Sequence, residues 1–141
     1  MRKLINLAVA VSLIAGLLPN VVYARQKDPI DAWLDKCLDK HQTDAGMMNC
    51  TEKAQQMWNA RLNKVYRELL SKLNPKQRED LIRSERNWVN FAESETRFIN
   101  DTYFSAMGTM YYLMGDDDIM ELYKRRALQL QGYLDDIKQM Q

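Results

Sequence analysis

From Met47 to Leu73 the apolar side chains of this chain return at steps of three and four. Met47, Cys50, Ala54, Met57, Trp58, Leu62, Val65, Tyr66, Leu69, Leu70 and Leu73 fall on one stripe of a helix. A helix that long, apolar on one side only, must lay its stripe against partners of similar length. Nowhere do apolar and polar residues alternate long enough for a half-buried strand. The expected fold is all-α, a small bundle of about four helices.

The neighbouring segments supply the partners. Asp28 can cap a first helix and Pro29 suits its first position. Ile30, Trp33, Leu34, Cys37 and Leu38 then form one apolar face. His41 to Gly46 lacks the pattern and reads as a loop, with the long helix beginning near Met47. Asn74-Pro75 ends that helix and starts the next, Gln77 completing a capping box. Leu81, Ile82, Trp88, Val89, Ala92, Phe98 and Ile99 mark the third helix, which should turn before Gly108. Tyr103 to Met114, rich in aromatic residues and Met, fits a short helix or an ordered loop. Gly115 and Asp116-Asp117-Asp118 read as the boundary before a last helix carrying Ile119, Leu122, Tyr123, Leu130, Tyr133, Leu134 and Ile137.

The amino terminus says where such a bundle works. Arg2 and Lys3 precede an apolar run from Leu4 to Leu18, broken by Pro19, with Val22-Tyr23-Ala24 offering a cleavage site. The run is too short to span a bilayer, so residues 1–24 read as a secretory signal peptide. The mature domain would be residues 25–141, periplasmic or secreted, with no membrane insertion after cleavage. No Cys near that site invites a lipid. Cleavage removes two cations and moves the net charge from +1 to about −1, which argues against a nucleic-acid partner. In an exported chain the pair Cys37 and Cys50 reads first as a disulfide. Free thiols or a redox pair are the competing readings, although the usual C-x-x-C spacing is absent.

Catalytic chemistry finds little material. His41 is the only imidazole, and no nucleophile–base constellation includes it. Glu93 and Glu95 fall on different helix faces, so they do not form a shared carboxylate site. The Asp116–Asp118 run lacks the spaced ligands of a calcium loop. Neither an enzyme, a metal site nor a cofactor is expected. Trp33, Trp58 and Trp88 lie on apolar stripes and are expected in the core. Met107, Met110 and Met114 with Tyr103, Tyr111 and Tyr112 are expected there too, adaptable contact surface being the alternative. Asn63, in a helix interior where Asn is disfavoured, is expected to hydrogen-bond across to another element; a surface Asn is the alternative.

Taken together, Cys37, Met48-Asn49-Cys50-Thr51, Trp58, Leu62-Asn63-x-x-Tyr66, Leu69-Leu70, Leu73, Leu81, Arg86-x-Trp88 and Phe91 resemble the bacterial lysozyme-inhibitor LprI-like family. Arg126 followed by Leu130 resembles its closing helix. The chain departs from the pattern in having Phe91-Ala92-Glu93 and no third or fourth Cys, so its second hairpin must hold by packing. The resemblance implies an exported protein that blocks a lysozyme or muramidase, or else a non-inhibitory envelope-maintenance protein with another periplasmic partner. The structural motif would be Trp58, Leu62, Asn63, Tyr66, Arg86 and Trp88. A loop pinned by the two Cys, carrying His41, Gln42, Thr43 and Asp44, is the favoured partner-binding segment, and Tyr103 to Gly115 the rival.

Overall fold

The computed structural model describes residues 27–106 and 108–140; the signal peptide expected over residues 1–24 and Met107 lie outside them. Four helices make up the described residues: α1 (Pro29–Lys40), α2 (Asp44–Lys72), α3 (Pro75–Tyr103) and α4 (Thr109–Met140). No strand occurs among the described residues, so the all-α expectation holds.

The helix starts follow from local chemistry. Asp28 accepts from the Ile30 amide at 3.0 Å, with Pro29 behind it. Asn74 accepts from the Gln77 amide at 2.9 Å while the Gln77 side chain accepts from the Asn74 amide at 3.0 Å, completing the capping box. Two boundaries need correction. α2 begins at Asp44 rather than near Met47, because Thr43 caps it by accepting from the Gly46 amide at 3.2 Å. Asp116 to Asp118 do not cap the last helix but lie inside α4, which already starts at Thr109. Helix continues through Gly115 because α3 packs closely there: a Cβ on Gly115 would sit 3.3 Å from the Tyr103 Cβ.

Ion pairs and the disulfide give the helix directions. Asp28 pairs with Arg61, and Cys37 is bonded to Cys50 with a Cα separation of 5.8 Å, so α1 runs antiparallel to α2. Lys138 meets Glu68 at 2.8 Å near the far ends of α4 and α2, which run parallel. Glu85 meets Arg126 at 2.7 Å and Tyr103 meets Asp118 at 2.9 Å, so α3 runs antiparallel to α4. The most extensive contact joins α2 to α4; α1 covers α2, and α3 covers α4.

Trp58 sits at the centre, fully buried with Cys50, Ala54, Leu62, Leu69, Met120, Ala127, Leu130 and Leu134 in one apolar cluster. The Arg61 guanidinium lies 5.2 Å and the Lys124 ammonium 5.8 Å from its ring centroid. Lys124 also reaches Asp31 at 3.0 Å and Glu121 at 2.8 Å. Burial pulls the Lys124 pKa down, but those two bonds outweigh it and hold the ammonium above its ordinary value. Trp33 and Trp88 are only partly buried; Trp88 packs edge-on against Tyr123 at 5.7 Å. Asn63 contradicts the cross-helix expectation. It is exposed, and its amide donates to the Asn59 carbonyl within the same helix at 2.8 Å.

Candidate binding surface

The favoured segment is shorter than expected and more firmly held. The turn 41–43 alone separates α1 from α2, while Asp44 is the first residue of α2. The His41 amide donates to the Cys37 carbonyl at 3.0 Å and to that of Leu38 at 3.3 Å, closing α1. Gln42 donates to the Asp39 carbonyl at 3.3 Å. Gly46 is required by close approach: a Cβ there would stand 2.9 Å from the His41 Cβ and 3.1 Å from its carbonyl oxygen. The disulfide lies just behind the turn. His41, Gln42, Thr43 and Asp44 are all exposed and share this one corner.

Beside the turn is a cavity of about 260 Å³, where Trp33, His41 and Lys53 surround the Cys37–Cys50 bridge. Its floor is largely apolar, and the imidazole and ammonium flank it.

The rival segment divides. Tyr103 closes α3, the Phe104 amide bonding to the Asn100 carbonyl at 2.9 Å. Gly108 takes a φ of 129°, a conformation open to glycine, just before α4 starts. Phe104 stacks on Tyr112 at 4.7 Å. Met110 is 66% exposed, and Tyr111 and Met114 are also exposed, so these residues form surface rather than the expected core. The Tyr103 phenol donates to Asp118, and that bond, reinforced by the carboxylate's charge, pushes its pKa up.

Because α2 and α4 run parallel, their amino-terminal ends lie at the same end of the bundle. The Glu52 charge on α2 is felt at Asp116 on α4, which places the two residues at a similar level: partial burial, and then that charge, push the Asp116 carboxyl up. Counting back from that level, Asp44 and Thr109 lie about 12 and 10 Å up their helices. The two segments that compete in the sequence therefore form one composite end, with polar donors on the α1–α2 turn and Met and aromatic side chains on the α3–α4 side.

Sequence reasoning missed Gly46 and Gly115 as close-approach positions and the buried pair Glu85–Arg126. The signal for that pair was an acid and a base each standing on an otherwise apolar stripe. Of the motif residues, Trp58 and Leu62 are buried, Tyr66 and Trp88 half-buried, and Asn63 and Arg86 exposed. Among the described residues no group of three or more His, Cys, Asp or Glu could hold a metal ion, and no helix is long and apolar enough to cross a membrane.

An all-α bundle with a disulfide-clamped hairpin and an exposed, mixed polar and aromatic end defines a small helical domain. The chain belongs to the LprI lysozyme inhibitor family, whose profile matches residues 37–130. That is a family of inhibitors rather than enzymes. The fold is also similar to the crystal structure of an uncharacterized protein from Burkholderia thailandensis, at 28% identity and a TM-score of 0.75. The match covers 80% of this chain and 57% of that one, so the chain spans little more than half of that protein. No curated protein matches the chain.

Proposed function

We propose that this chain is an exported protein that blocks a lysozyme or related muramidase by docking the composite end of its bundle into the enzyme's cleft. Membership of the family carries the reading. Muramidases work with two carboxylates in an open groove. An occupant of such a groove needs hydrogen-bond donors on a part that protrudes and is already ordered. The His41 imidazole, the Gln42 amide and the Thr43 hydroxyl supply donors on a turn fixed by the bridge, by Gly46 and by two helix caps. Little conformational freedom remains to be lost on binding. Tyr111 and Met110 add rim contact of the kind enriched at protein interfaces.

Inhibition of a panel of muramidases tests this. Replacing His41, Gln42 and Thr43 together by Ala, or Tyr111 and Tyr112 together by Ala, should each weaken inhibition about tenfold or more, with melting curves confirming the fold. Full inhibition by the first variant would remove the turn from the site. A wild-type chain that inhibits no muramidase would overturn the inhibitor reading in favour of a non-inhibitory periplasmic interaction.

A further inference from the structure

The open groove between α2 and α3 has no part in the composite end. It lies beside Asn59 to Tyr66, about 22 Å along α2 from Asp44. Packing explains Trp58 and Leu62 among the residues that carry the family resemblance, but it leaves Asn63 and Tyr66 unexplained. Both line this groove, a cavity of about 260 Å³ that also takes in Trp88, Val89 and Tyr123.

The chemistry of the walls narrows the ligand. Leu62, Val89 and Ala92 supply apolar surface, and Tyr66, Trp88 and Tyr123 supply rings. No Lys or Arg lines the groove, so an anion would find no counter-charge. Of its two carboxylates, Glu85 is already neutralised by Arg126 at 2.7 and 3.0 Å. The other, Glu93, stands at the exposed rim. Such walls suit a neutral ligand with one apolar face and several polar groups.

The two asparagines specify more. Asn63 Nδ2 donates to the Asn59 carbonyl at 2.8 Å and to Asn59 Oδ1 at 3.1 Å. Those bonds fix the pair and leave Asn63 Oδ1 as an acceptor and Asn59 Nδ2 as a donor, one helical turn apart. Neither has a protein partner among the described residues. An acetamido group presents the complement: one carbonyl, one N–H and a methyl.

We propose that the α2–α3 groove binds an N-acetylated amino sugar. The acetamido carbonyl accepts from Asn59 Nδ2, its N–H donates to Asn63 Oδ1, and its methyl rests against Leu62 and Val89. The C–H face of the ring lies on the aromatic side chains, and ring hydroxyls reach Tyr66 and Glu93. This site does not depend on the inhibitor reading, because sugar binding is measured without any muramidase.

The experiment is an amide NMR titration of the disulfide-bonded mature chain with N,N′,N″-triacetylchitotriose, with cellotriose and a lysine-rich peptide as controls. The acetylated sugar should shift Asn59, Asn63, Tyr66, Val89 and Glu93 saturably, in about the millimolar range, and cellotriose should bind about tenfold more weakly. Asn63→Ala removes an exposed side chain, and Val89→Trp fills the groove from an exposed position. Each should weaken binding about fivefold or more without lowering the melting temperature. Tyr111→Ala, at the far end, should leave the titration unchanged. Absence of saturable shifts at these residues overturns the proposal, as does equal binding of cellotriose. Shifts with the cationic peptide alone would also overturn it and make the groove an anchor for basic side chains.

Discussion

Glu85 and Arg126 are the only charged side chains buried among the described residues. Removing two charges from water is costly, and the pair survives because its geometry is nearly complete. Arg126 bonds Glu85 through two nitrogens, and Gln129 accepts from a third at 2.7 Å. Its guanidinium also lies 5.7 Å from the Trp88 ring centroid. Glu85→Ala would strand that guanidinium and should cost about 3–5 kcal/mol in urea unfolding, whereas Glu85→Leu with Arg126→Met should be near neutral. A loss below about 1 kcal/mol in the single variant would show that water already reaches the pair. At this scale the sequence was partly legible. Trp58 and Leu62 announce their burial by position on the stripe. Asn63 misleads, because a helical Asn can satisfy itself on the carbonyl one turn back instead of reaching across.

Helix starts were legible where the cap is local, as at Asp28-Pro29 and Asn74-Pro75-x-Gln77. They were not where a glycine suggested a break. Gly46 and Gly115 each forgo about 1 kcal/mol of helix propensity relative to Ala, yet both lie inside helices, where a Cβ would clash with His41 at Gly46 and press tightly on Tyr103 at Gly115. Close approach is a tertiary fact, invisible to propensity. The disulfide belongs to this scale as well. α1 spans 12 residues, at the lower limit for a helix that must hold itself. Its attachment rests on Ile30, Leu34, the Asp28–Arg61 pair and the Cys37–Cys50 bridge. Replacing both Cys by Ala should therefore cost about 3 kcal/mol. Hydrogen exchange should quicken first in α1 and the 41–43 turn, while amides in the α2–α4 core stay protected. Uniform loss of protection across all the helices would instead make the bridge a condition of the whole fold.

The parallel course of α2 and α4 was not legible, since stripes give faces but not which helices pair, and the composite end follows from that pairing alone. It also gathers acids. Burial, then the charges of Glu121 and Asp118, push the Asp117 carboxyl up against the opposing pull of Lys124, and Asp116 is raised as described above. A carboxyl whose pKa is raised by folding adds stability when protonated, and that contribution is lost as pH rises through its folded-state value. Glu68 and Asp80 behave in the opposite sense. Hydrogen bonds from Lys138 and Lys76 hold them below the ordinary carboxylate range, so what they contribute is present at neutral pH and lost as pH falls through their lowered values. Both lie in solvent, where salt screens them. Asp116→Asn with Asp117→Asn should thus melt above the wild type at neutral pH, and the gap should close as pH falls through the carboxylate range. Added salt should erode only the contribution of Glu68 and Asp80. A double variant that melts below the wild type at neutral pH would mean that these carboxylates are held as charged partners, and would reverse the sign argued for this end of the bundle.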